Sequence, residues 1–113
     1  DQIKQVILNL VLNAAEAMPD GGLLHVQTYQ QHESGKDYIT LTITDTGMGI
    51  PPDQLPFIFD GLHTTKERGM GLGLYTSKAI IERHMGRINA HSTAAEGTTF
   101  IIMLPINREE QTA

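Results

Sequence analysis

Tyr38-Ile-Thr-Leu-Thr-Ile-Thr-Asp45-Thr-Gly47-Met-Gly49-Ile50 reads as a strand that runs into a glycine-framed loop. Ile39, Leu41 and Ile43 alternate with Tyr38, Thr40, Thr42 and Thr44, the period of a strand with one apolar face. By the same alternation Asp45 falls on the apolar side. A carboxylate there needs partners, because burying an unpaired charge is costly. A ligand amino group is one such partner. The alternative is a turn aspartate just past the strand's end. Gly47 and Gly49 can adopt positive φ and let another group approach the backbone closely.

Upstream, residues 23–30 read as a second strand, joined to the first by a polar hairpin loop at 32–37. Before them, Ile3, Val6, Ile7, Leu10, Val11 and Ala14 recur at three- and four-residue spacings, which predicts a helix over 3–18. Met18-Pro-Asp-Gly-Gly22 supplies turn chemistry at its end. Downstream, residues 51–59 suggest a short helix weakened by Pro56. Residues 60–70 have no apolar period and read as a mobile loop. A second long helix is expected over 71–85, capped by Gly86, with closing strands at 87–92 and 98–104. Helix, hairpin, loop, helix, hairpin gives an α+β fold: a two-layer sandwich with a mixed, mostly antiparallel sheet and helices on one face. One domain over 1–106 and a frayed tail at 107–113 account for the 113 residues. The chain opens at Asp1 inside a helical pattern and reads as a piece of something longer.

Net charge is −5 and no long basic run exists, which argues against nucleic acid or an anionic membrane as the main partner. No apolar run approaches the ~20 residues of a membrane span. With no cysteine, disulfides and thiolate metal sites are excluded. A polyphosphate would have to be held by a metal, amides and a few local cations.

Three further blocks could carry such chemistry. Asn9 and Asn13 sit four apart on one helix face, with Gln5 and Glu16 extending the stripe. Amide oxygens are hard ligands suited to Mg²⁺. Asparagine is a poor helix former, so two in mid-helix call for a reason, although a solvated polar face is the other reading. Gly69, Gly71 and Gly73 precede a helix whose first amides favour an anion. No strand comes just before them, as a dinucleotide fingerprint requires. Lys66 and Arg68 could reach phosphates from the loop, or be surface cations. The last block is Gly97-Thr98-Thr-Phe100. None of the five histidines forms a metal pair, and only His63, in the loop, stands near a candidate ligand.

Taken in order, these blocks resemble the ATP-binding catalytic domain of two-component sensor histidine kinases, in the superfamily shared with gyrase, heat-shock chaperone ATPases and MutL. Residues 5–14 match the N box, Asp45 through Ile50 the G1 box, and Gly69 through Leu74 the G2 box. Phe59 through Lys66 resembles the F box. The resemblance covers about residues 3–105 and implies the Bergerat fold. It implies that Asp45 accepts from the adenine amino group, with Thr98 assisting through water. Gly47, Gly49 and Ile50 would border the base, and Asn13 would ligate Mg²⁺ with Asn9 near the phosphates. Thr64, Thr65, Lys66 and Gly69 would belong to the ATP lid, and Gly71, Leu72, Gly73 and Leu74 would bring backbone amides to the phosphates. The catalytic set would be Asn9, Asn13 and Lys66.

The implied reaction is transfer of the γ-phosphoryl group of Mg-ATP to a histidine on a separate dimerisation domain of the same parent protein. A response regulator would be reached indirectly. The isolated domain would be a cytoplasmic monomer without membrane contact. Two departures stand out. The F box usually reads Phe-x-Pro-Phe, and here it is Phe59-Asp-Gly61-Leu62. Many such kinases carry a cation where this chain has Glu16; Glu16, the short lid and Ala17-Met-Pro-Asp-Gly-Gly22 instead resemble the nitrogen-regulation and sporulation-type branch. That shifts weight to Lys66. Hydrolytic relatives use a glutamate at the position of Asn9 as general base, a proton-accepting role that an amide cannot fill. An anti-sigma-type serine kinase, or a nucleotide-binding regulatory module without transfer activity, is the alternative.

Overall fold

The computed structural model of the chain describes residues 1–60, 70–93 and 96–106. Helix α1 spans Gln2–Glu16 and is capped by Asp1, whose carboxylate accepts from the Lys4 N–H at 3.1 Å. That bond satisfies one of the helix's orphan donors. Val6, Leu10, Asn13 and Ala14 form its buried stripe. Strands β1 (Leu24–Glu33) and β2 (Lys36–Asp45) follow as a hairpin. A short 3-10 helix (Leu55–Phe57) comes next, then helix α2 (Met70–Arg83) and strands β3 (Arg87–Thr93) and β4 (Gly97–Pro105). The sheet order is β1-β2-β4-β3 and every ladder is antiparallel. The expected sandwich is therefore present, with no parallel pair among the described strands.

Both helices lie on one face of the sheet. Val6 and Leu10 from α1 and Leu74, Ile80 and Ile81 from α2 close over Ile43, Ile88, Phe100 and Ile102. Each such side chain contributes roughly 1.5–3 kcal/mol when fully buried. Phe59 joins from the loop, its ring edge-on to Phe100 with centroids 6.3 Å apart. Leu41 is packed against this core, but Ile39, on the same face of β2, remains 42% exposed. Alternation assigns a face correctly; it does not show where along the strand the helical layer stops. On the other face Thr40 is fully buried and donates to Gln31 Oε1 at 2.9 Å.

Several local expectations change. The hairpin loop shrinks from 32–37 to Ser34-Gly35, because His32 pairs with Asp37 and Glu33 with Lys36 in the ladder. Both turn residues have positive φ (53° and 79°), the signature of a type I′ turn whose twist matches a hairpin. Pro56 sits in the first turn of the 3-10 helix, where its missing N–H is harmless, and only that turn survives of the helix expected at 51–59.

The end of α2 is also displaced. Met85, not Gly86, takes the left-handed conformation (φ 64°). Met85 N–H donates to Glu82 O at 3.0 Å and Gly86 N–H to Ile81 O at 2.9 Å, a Schellman pair. Gly86 is required for a different reason: a Cβ there would lie 2.4 Å from Met103 O in β4. Since Met85 is 79% exposed, Met85→Gly removes strain without losing packing. It is expected to stabilise the domain by about 1 kcal/mol, read as a rise in the urea midpoint.

Residues 61–69 and 107–113 lie outside the described residues. So do the predicted site residues Thr64, Thr65, Lys66 and Gly69, along with His63, Arg68 and the expected tail.

Candidate functional site

One row of side chains crosses the end of the sheet on the helix-facing side. Asp45 of β2 is in register with Thr98 of β4, and Thr98 with Ser92 of β3. Asp45 is 3% exposed. Its Oδ1 accepts from the Gly47 N–H at 2.8 Å and from the Thr98 N–H at 3.3 Å. No described residue donates to Oδ2, and no described cation pairs with this carboxylate. The aspartate does point inward, as alternation predicts, and it also makes the turn bond to Gly47. Inward placement and the turn bond thus coexist in one side chain, the turn bond resting on Oδ1.

The loop after β2 is pinned from three sides. Met48 N–H donates to Ala17 O at 3.2 Å, at the C-terminal end of α1. Ile50 N–H donates to Ser92 Oγ at 2.7 Å, and the Leu23 N–H to Thr46 Oγ1 at 3.0 Å. The two glycines have different tasks. Gly49 has φ +75°, a left-handed turn position. Gly47 is needed for clearance, because a Cβ there would stand 2.4 Å from Ala17 O.

The second end of the site lies between α1 and α2. Asn9 turns its Nδ2 toward α2, 3.4 Å from Gly73 O and 3.3 Å from Ser77 Oγ. Its amide oxygen is thereby directed away from those acceptors. Asn13 is 8% exposed and its Nδ2 is buried without a hydrogen-bond partner among the described residues. A buried unsatisfied amide costs about 1–3 kcal/mol, so this side chain calls for a partner that no described residue provides. Because the two ends of an asparagine amide can exchange by a flip, either the oxygen or the nitrogen can face that partner. A hard cation fits the oxygen.

Gly73 is not demanded by the packing around it. A Cβ there would meet only Asn9, at an ordinary 3.8 Å. Glycine inside a helix is less stable than alanine by roughly 0.5–1 kcal/mol, and no described neighbour requires it here. Gly71 and Leu72 lie in the first turn of α2, and the side chain of Leu74 belongs to the core. Among the described residues no cluster of three or more His, Cys, Asp or Glu side chains could hold a metal. No helix of the described chain is long and apolar enough to cross a membrane. Lys78 lies with its Nζ 5.9 Å over the ring of Phe59, a contact on the F-box side.

Ser77 and Ser92 were missed by the sequence reading. A serine in a helix or strand has no local signature; only the fold sets Ser77, fully buried, against Asn9 and Ser92 against the loop.

A two-layer sandwich with a buried aspartate at the sheet end, a bare-backbone helix start and an asparagine helix between them defines a nucleotide-binding catalytic-domain class. Residues 1–108 match the model of the histidine kinase-, DNA gyrase B- and HSP90-like ATPases, and the chain belongs to that family. Over 111 residues it is 44% identical to the sensor histidine kinase ZraS of Salmonella typhimurium, covering 98% of this chain and 23% of that protein. It is 42% identical over 113 residues to sporulation kinase E of Bacillus subtilis, covering 98% of this chain and 15% of that one. The chain therefore spans less than a quarter of the length of these relatives. Among solved structures, the nucleotide-free catalytic domain of histidine kinase ThkA superposes with a TM-score of 0.80 at 33% identity, over 96% of this chain and 69% of that one.

Proposed function

We propose that residues 1–106 are the ATP-binding catalytic domain of a sensor histidine kinase and that 107–113 form a tail. The domain would donate the γ-phosphoryl group of Mg-ATP to a histidine on a separate dimerisation domain of the parent protein, from which a response regulator is phosphorylated in turn. The observation that carries this reading is Asp45: a buried carboxylate, held by two backbone N–H groups through one oxygen and paired with no described cation. Such a group is costly unless a ligand completes it. An exocyclic amino group of adenine would do so, with Gly47, Gly49 and Ile50 beside the base and Thr98 next to the carboxylate.

At the other end, the unpartnered amide of Asn13 suits Mg²⁺, with Asn9 toward the phosphates. A bound Mg²⁺ would neutralise phosphate charge. The chain's own contribution is positional: Gly71 and Leu72 would present the backbone amides of the first turn of α2, with Gly73 and Leu74 behind them in the helix, and Thr64, Thr65, Lys66 and Gly69 would add contacts from the segment between. Catalysis of phosphoryl transfer rests mainly on such positioning and charge stabilisation. The relatives' names as sensor histidine kinases support the histidine as acceptor. A cytoplasmic, monomeric domain belongs to the same reading.

Calorimetric titration of the 113-residue chain with a non-hydrolysable ATP analogue tests this. Tight binding that needs Mg²⁺ is expected, followed by phosphotransfer from ATP to an added dimerisation domain. Asn13→Ala is expected to weaken analogue binding about tenfold or more with Mg²⁺ present and by much less with EDTA. An equal loss in both conditions would remove Asn13 from the metal.

A further inference from the structure

The hydroxyl of Ser92 makes three polar contacts: the Ile50 N–H at 2.7 Å, Gly97 O at 3.0 Å and Thr98 Oγ1 at 3.1 Å. A serine hydroxyl has one proton and two lone pairs. The Ile50 amide can only donate and the Gly97 carbonyl can only accept. Ser92 therefore gives its proton to Gly97 and takes the Ile50 N–H on one lone pair. What remains for Thr98 is the second lone pair, so Thr98 must be the donor in that contact. Only this arrangement satisfies all three contacts.

One consequence reaches the base end of the site. With its proton committed to Ser92, Thr98 Oγ1 has only lone pairs to offer in any other direction. It stands in register beside Asp45, whose Oδ2 receives no hydrogen bond from a described residue. Two acceptors thus stand side by side at the sheet end, and no freely rotating hydroxyl between them can switch to donating. A ligand edge in direct contact here must bring N–H groups. An edge bearing a carbonyl would leave acceptor facing acceptor, and a site built for donors rejects such an analogue strongly.

The geometry points to Ser92 as a specificity-determining residue. It acts through Thr98, without touching the base, to make this end of the pocket accept-only and so favour an amino-substituted purine over a 6-oxopurine. This rests on the reading of Asp45 as the base-binding residue. Ser92→Ala frees the Thr98 proton, which can then turn toward a carbonyl. The same substitution also removes the acceptor of the Ile50 N–H, which would weaken binding of any nucleotide. The ratio of affinities separates these two effects.

The experiment is calorimetric titration of the 113-residue chain with ADP and with GDP at fixed Mg²⁺. Wild type is expected to prefer ADP. Ser92→Ala is expected to narrow the ADP-to-GDP preference about five- to tenfold, and Ser92→Thr, which keeps the hydroxyl, to restore it. Thr98→Val is isosteric and leaves the Ile50 tether in place, so it provides a second route should Ser92→Ala fold poorly. It is expected to narrow the preference by a similar factor, after which Ser92→Ala adds nothing further to the ratio. If both affinities fall equally in Ser92→Ala, or Thr98→Val leaves the ratio intact, Ser92 is a loop tether alone and the inference is overturned. Absence of any ADP preference in the wild type would instead overturn the base-site reading, and this inference with it.

Discussion

Asp45→Asn is expected to abolish nucleotide binding while leaving the domain folded. The two carboxylate oxygens have separate tasks, and the substitution divides them. Oδ1 accepts from the Gly47 and Thr98 N–H groups, and an asparagine oxygen can keep both bonds. Oδ2, to which no described residue donates, becomes an NH₂ group. Where the ligand presents a donor, the variant presents another. A lost hydrogen bond to a charged group is worth about 1.5–3 kcal/mol, and the opposed donors add to it, so affinity should fall by roughly a hundredfold or more. Calorimetry with a Mg-ATP analogue would read the loss, and the thermal midpoint should move by only a few degrees. Unchanged affinity in a folded variant would remove Asp45 from the base.

Gly97→Ala is expected to have the largest effect on stability. Gly97 has φ +110°, and a Cβ built on it would stand 2.0 Å from the Asp45 carbonyl oxygen, a backbone atom that cannot swing aside. Backbone strain of this kind costs about 1–3 kcal/mol alone. Relief of the overlap requires β2 and β4 to part where Asp45 faces Thr98. A loss of about 3 kcal/mol or more is expected, seen as a fall in thermal midpoint of roughly 10 °C or more. Whatever remains folded should bind nucleotide poorly, because the same displacement moves the acceptor row. A variant within about 0.5 kcal/mol of wild type would show that the two strands tolerate separation there.

The reasons why the sequence was readable in some places and not in others are physical. Period-two alternation located Asp45 on the inward face, and helical spacing located Val6, Leu10 and Ala14. These signals are local, and the fold obeys them. Exposure of Ile39 depends on how far the helices reach, which no strand pattern records. The end of α2 was misplaced by two residues and its left-handed cap by one, because Gly86 has two explanations in sequence, cap or clearance. The cap falls to Met85, while clearance from Met103 O retains the glycine. The 32–37 loop looked polar because its cross-strand pairs are polar side chains: His32 with Asp37, Glu33 with Lys36. Ser77 and Ser92 gain meaning only once strands and helices far apart in sequence are brought together.

The close approach of Gly47 to Ala17, with the Met48 N–H bonded across it, joins the end of the asparagine helix to the loop beside Asp45. A nucleotide bound at Asn13 and Asp45 would span two elements that are already bonded to each other in the folded chain. The distance between these two grips is then a property of the empty domain, like the fixed opening of a caliper. Binding would lose little backbone entropy at that junction. A relative whose base is bound at a different distance from its metal would have to change this seam first, and a side chain at position 47 is the most direct way to force it open.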